Sequence, residues 1–230
     1  MHVKPIAERD LLVPLGMTGI LMAVYLLGRP YGDSPAVAST GAEQAAAFAS
    51  GWWVAAHVAG ALALAGFGRL ALRLSDLARE SFTARLARWA GLAGVVLVLP
   101  YFGAEAFALH VIGRRVAAGE TSLLVLVDEI RNQPVAITLF ALGLFLLAVA
   151  GIAFALAWTR YAGSRAAWPL GVLMALVLPQ FYLPPVGRMA FGVAYLLAAA
   201  VLAGSVLHRG SAPDGVRLVA EAPDPVTSSR

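Results

Sequence analysis

Seven side chains able to do chemistry lie within otherwise apolar runs of this chain: His57, Tyr101, Glu105, His110, Gln180, Tyr182 and Arg188. An ionisable group inside a bilayer costs at least about 2.5–3.5 kcal/mol near the centre, so each is a functional suspect by default. Glu105 is the central candidate. A carboxyl in an apolar site becomes harder to ionise and can act as a general acid. It can equally anchor a binding site, with His57, Tyr101, Gln180, Tyr182 and Arg188 around it. His57 and His110 together suit a different chemistry, axial ligation of a b-type haem between neighbouring helices. Each residue also has a structural reading: an ion pair between Glu105 and Arg188, a packed histidine at 57, an interfacial histidine at 110, and an arginine at 188 that snorkels to headgroups.

The elements that must position these groups are six long apolar stretches, at about 11–27, 51–72, 86–112, 134–158, 167–183 and 187–207. A spanning helix needs about 20 mainly apolar residues. Hydrophobic residues make up 60% of the chain and charged residues 13%, against roughly 45–50% and about 25% in soluble domains. Mean hydropathy is +0.79. The expectation is an all-α, polytopic six-helix membrane bundle over 1–208, followed by a disordered cytoplasmic tail over 209–230. The fifth stretch is short and interrupted by Pro169 and Pro179, which would suit a re-entrant segment.

The chain has no cysteine, which excludes disulfides, thiolate catalysis, iron–sulfur clusters and cysteine-bound zinc. H-E-x-x-H, Walker, dinucleotide-binding and G-x-S-x-G patterns are absent. So are paired Asp-rich motifs for diphosphate and magnesium. No internal repeat marks an inverted-repeat carrier. The net charge of +4 reflects basic loops that orient the protein and does not point to nucleic acid. Sixteen arginines against one lysine fit the codon bias of a GC-rich genome.

Loop charges are asymmetric. Twelve Lys and Arg fall on the side of the N-terminus, the second and fourth connections and the tail, and five fall on the other side. The positive-inside rule places both termini in the cytoplasm. Ala36-Val37-Ala38 resembles a signal-peptidase site, whose use would leave five spans. A short helix is expected at 42–48. Leu123, Leu126, Val127 and Ile130 are spaced for an amphipathic helix over 121–131, with Asp128, Glu129 and Arg131 on its polar side, lying extracytoplasmically at the interface or as a lid. Pro134 suits a helix start. Trp52, Trp53, Trp158 and Trp168 lie near span ends, as an aromatic belt would.

With this topology all seven polar residues share the outer half of the bilayer. Helical phase groups His57 with Ala61, Ala65 and Gly68, and Glu105 with Tyr101, Gly94 and Gly91, so both face inward where small residues permit close helix contact. His110 lies about 140° away from Glu105 on an ideal helix, unless Pro100 distorts it. Four functions follow: a small-molecule or lipid site open to the outer leaflet, serving binding or transport and with a homo-oligomer as one way to complete it; an enzyme acting on a lipid or isoprenoid; a haem protein; or a structural accessory protein.

The segments Leu99-Pro100-Tyr101-Phe102-Gly103-Ala104-Glu105-Ala106-Phe107-Ala108-Leu109-His110, Asp128-Glu129-Ile130-Arg131 and Leu178-Pro179-Gln180-Phe181 resemble a group of uncharacterised multi-spanning membrane proteins of high-GC bacteria. The resemblance covers residues 50–205. It implies a multi-pass architecture in a bacterial cell membrane and no particular activity.

Overall fold

A computed structural model describes residues 7–34 and 40–210. Ala36-Val37-Ala38 and the tail beyond Gly210 lie outside the described residues. Among the described residues all regular structure is helical. The α-helices are α1 (Leu12–Gly28), α2 (Gly41–Ala49), α3 (Gly51–Leu77), α4 (Phe82–Gly103), α5 (Leu109–Ala117), α6 (Val125–Arg131), α7 (Pro134–Ala162), α8 (Trp168–Ala175) and α9 (Pro185–Gly210). A 3-10 turn at Glu8–Leu11 leads into α1, and a π-turn at Ala104–Ala108 joins α4 to α5.

Local sequence sets these boundaries. Thr40 and Glu43 form a reciprocal capping box that starts α2. Ser50 and Ser81 cap α3 and α4. Gln133 caps α7, whose first residue is Pro134, and Gly163 ends it at φ 65°. The first two residues of the expected tail, Arg209 and Gly210, still belong to α9.

Five helices are long and apolar enough to cross a membrane: Glu8–Gly28, Gly51–Leu77, Phe82–Ala117, Pro134–Ala162 and Pro185–Gly210. Large apolar side chains point outward along them, among them Val13, Ile20, Leu62, Val96, Phe145, Leu197 and Val201. Water would not tolerate so much exposed apolar surface on a monomer, whereas lipid is a good solvent for it. The chain is thus compatible with a multi-pass integral membrane protein.

The stretch 167–183 departs from the expected continuous helix. Only Trp168–Ala175 is α-helical, about 12 Å in length. Pro179 has no N–H to offer the Ala175 carbonyl, and the chain passes through a turn into the 3-10 segment Pro179–Tyr182. It nevertheless runs antiparallel to α7 from one end to the other. Gly171 sits against Gly151 and Ala155, and the Phe181 ring meets Phe140 at 5.6 Å.

Successive long elements are neighbours in space. α9 packs on α1, α1 on α3, α3 on α4, α4 on α7 and α7 on α8, and α8 closes the ring against α9. The first and last described helical segments meet at one end, where Arg209 pairs with Glu8 at 3.2 Å and donates to the Ala162 carbonyl at 2.7 Å. The opposite end carries a cap. The continuous helical segment Phe82–Ala117 has 36 residues and is about 54 Å long, well beyond the ~30 Å hydrocarbon core. α2 and α6 pack on its projecting end. Ala45, Phe48, Trp53, Leu109, Ile112, Val116 and Val127 form a separate apolar cluster there. Leu123, Leu126 and Ile130 rest on that cluster, so the predicted amphipathic stretch is helical and its apolar face is covered by protein.

Two of the four expected belt tryptophans are core residues. Trp53 and Trp158 are fully buried. Helix ends in this bundle meet other elements, so closeness to a span end does not imply closeness to lipid.

Candidate functional site

Glu105 owes its position to a local break in helix geometry. Pro100 lies inside α4. The backbone then widens over Ala104–Ala108, where the Leu109 N–H bonds the Ala104 carbonyl five residues back. Such π-turns recur at functional sites. The buried Trp53 indole N–H donates to the Glu105 carbonyl at 2.6 Å. The Glu105 side chain, 12% exposed, turns into the cap end of the bundle.

Its partner is Arg131, which corrects the expected Glu105–Arg188 pairing. Arg131 Nε donates to Oε1 at 2.7 Å and Nη2 to Oε2 at 3.0 Å. This is the two-point fork that makes Arg–carboxylate pairs strong. The same Nη2 reaches Asp33 Oδ2 at 2.8 Å, and Arg29 donates to that oxygen at 2.6 Å. Arg29, Asp33, Arg131 and Glu105 therefore form one chain of charges joining the end of α1, the end of α6 and the π-turn. Burial disfavours the Arg131 charge, but the Glu105 hydrogen bond and the Glu105 and Asp33 charges outweigh it and hold the guanidinium above its ordinary range.

His57 Nε2 lies 3.9 Å from Glu105 Oε2. Its Nδ1 sits 2.7 Å from the Trp53 carbonyl, an acceptor only, so Nδ1 carries a proton and Nε2 faces the carboxylate. The imidazole is held by Trp53 at 4.3 Å and edge-on by Tyr25 at 5.5 Å. Tyr101 stacks on Phe140 at 4.3 Å, and its hydroxyl donates to the Arg131 carbonyl at 3.4 Å.

Arg188 stands in the first turn of α9 and is 6% exposed. Its Nε donates to Gln180 Oε1 at 3.3 Å. Its guanidinium lies over the Tyr31 ring at 5.4 Å and the Phe181 ring at 5.3 Å. Nη2 is buried without a hydrogen-bond partner. Tyr31 donates to the Leu26 carbonyl. Burial raises its phenol above the ordinary range, against the opposing charges of Arg188 and Arg29.

These groups surround a cavity of about 280 Å³, near the lower end of small-molecule pockets. Arg29, Asp33, Glu105, Arg131 and Arg188 supply its charges, and Tyr25, Phe102, Phe140 and Phe181 its apolar wall. Tyr182 lines it too but is 86% exposed, which puts Tyr182 at the mouth. No family model, curated protein or solved structure matches this chain. What the site does must therefore be argued from its own atoms.

Of the residues singled out in sequence, His57, Tyr101, Glu105, Tyr182 and Arg188 line the cavity, and Gln180 stands behind Arg188. His110 is elsewhere. Its Nδ1 meets the Phe48 carbonyl at 2.8 Å against α2, while His57 belongs to the cavity wall. Among the described residues no three His, Asp or Glu converge as metal ligands. Sequence reasoning missed Arg29 and Asp33 and left Arg131 on a polar surface. Arg29 and Arg131 count among the basic loop residues that orient the chain, and no sequence motif singles out Asp33. Two signals pointed to them: the i,i+4 spacing of Arg29 and Asp33, and the need of a membrane-buried Glu105 for a cation.

Proposed function

We propose that this protein is a multi-pass cell-membrane protein whose cavity opens to the outer face and binds a small amphipathic molecule. In this reading the chain crosses six times, five times through long helices and once through α8 and the 3-10 segment, with both termini cytoplasmic. The charge asymmetry supports that orientation. Of the five arginines on the outer side, Arg29, Arg131 and Arg188 are committed to the cavity, leaving only Arg114 and Arg115 exposed there.

The observation that carries the proposal is the cavity itself: five charged side chains gathered around an accessible volume in an otherwise apolar bundle. Four of these charges pair with one another, and Arg188 is left lining the cavity without a carboxylate among the described residues. General-acid chemistry on a lipid is less well supported, because both Glu105 oxygens accept from Arg131 and the carboxylate is held as an acceptor.

The test is native mass spectrometry after purification in a mild neutral detergent. Wild type should retain a small-molecule or lipid adduct. Ser34→Leu, which enlarges a buried wall residue, should lose it. An adduct retained equally by both would overturn the site assignment. Because the chain has no native cysteine, Ala118→Cys and Glu80→Cys report orientation directly. An impermeant thiol reagent applied to whole cells should label the first and spare the second.

A further inference from the structure

We infer that the cavity's ligand carries an anionic head, a carboxylate or phosphate on an apolar body, and that Arg188 is the residue that recognises it. This rests on the cavity being a binding site, as proposed above.

The charges around the cavity do not balance. Three arginines, at 29, 131 and 188, face two carboxylates, at 33 and 105. Both carboxylates already have arginine partners, Asp33 through Oδ2 alone. Asp33 is shared by Arg29 and Arg131, and Glu105 takes the Arg131 fork. Arg188 has no carboxylate partner among the described residues. It has one neutral acceptor, Gln180 Oε1, two aromatic faces, and an unbonded buried Nη2.

An arginine only 6% exposed and without a counter-ion is costly unless something supplies the missing charge. Arg188 also occupies the first turn of the 26-residue α9, where the helix dipole adds positive potential and favours an anion. The planar fork of arginine matches carboxylate and phosphate oxygens. Phe181 lies against Arg188 itself, and Phe102 and Phe140 extend the same wall. A ligand whose head meets Arg188 would therefore lay its apolar body on these rings.

The experiment uses the full-length protein in neutral detergent with probes of one chain length: octanoate, octyl phosphate, octanol and octyltrimethylammonium, plus inorganic phosphate. Binding is read from tryptophan fluorescence and from the rise in melting temperature. Octanoate and octyl phosphate should bind about tenfold or more tighter than octanol, as one charged hydrogen bond allows. Octyltrimethylammonium and inorganic phosphate should bind weakly. Arg188→Gln should bring octanoate to within a few-fold of octanol without loss of octanol binding, and Arg188→Lys should restore part of the preference.

Equal binding of octanol and octanoate to wild type would overturn the anionic head while leaving the cavity as a site. No binding by any probe would overturn both readings. Inorganic phosphate binding as tightly as octyl phosphate would overturn the apolar body. A preference unchanged in Arg188→Gln would overturn the role of Arg188. The wild-type comparison needs no variant to fold.

Discussion

The two halves of this bundle solve opposite problems. Toward the termini, helices meet through small residues. A Cβ added at Gly94 would stand 2.8 Å from the Gly143 carbonyl, and one at Gly151 would stand 2.5 Å from that of Gly171. The core there is Leu70, Ala71, Leu74, Ala87, Ala150 and Phe154, with few polar groups to satisfy. In lipid, association depends on such close packing, because no hydrophobic force separates helix from solvent. Toward the cap, five charges and several aromatic rings line a cavity. Close packing gives the first half its rigidity. The second half depends on electrostatic pairing, in which Arg131 joins Glu105 to Asp33 and Arg29.

The largest effect should come from breaking that pairing. Arg131→Met leaves Glu105 without a cation while Asp33 keeps Arg29, and should cost about 3–5 kcal/mol, read from denaturation in detergent. The double variant Arg131→Met/Glu105→Leu should recover part of the loss, since the uncompensated carboxylate is removed along with the arginine. Next, Gly151→Leu should cost about 1–3 kcal/mol or more, because it forces α7 away from the α8 backbone. Its melting temperature should fall with little change in octanoate binding. A loss of binding equal to that of Arg188→Gln would show that the two halves are not separable.

The buried tryptophans sharpen the contrast. Trp53→Phe removes the donor to the Glu105 carbonyl and should cost about 0.5–1.5 kcal/mol beyond the lost volume. Trp158→Phe removes an indole N–H that has no partner, so its melting temperature should fall less than that of Trp53→Phe. The smallest effect belongs to Arg209→Ala at the exposed terminal end. There the Glu8 pair is worth about 0–1 kcal/mol and should fade with salt.

Much of the fold was legible because lipid imposes a length and a composition on every crossing. Long apolar runs marked all five long helices, and the 3.6-residue spacing of Leu123, Leu126, Val127 and Ile130 marked the cap face. The inward aim of His57 and Glu105 was legible from the small residues sharing their faces. The broken path at 176–182 was signalled by Pro179, but its course along α7 was not, since that depends on where Gly151 offers room. Arg131 was hidden for a related reason. A charge next to an amphipathic helix looks solvated until the partner that buries it is known, and Glu105 is 26 residues away.

By itself the sequence determined the helical, apolar character of the long runs and the scarcity of charge within them, because these follow from residue type summed along short windows; that only five of the six runs became long helices was decided in three dimensions. Tertiary structure alone decided which charge meets which. Coulomb attraction and hydrogen bonding act over a few ångströms in space and are indifferent to separation along the chain. Only the closed ring of helices could give Arg131 to Glu105 and leave Arg188 without a carboxylate.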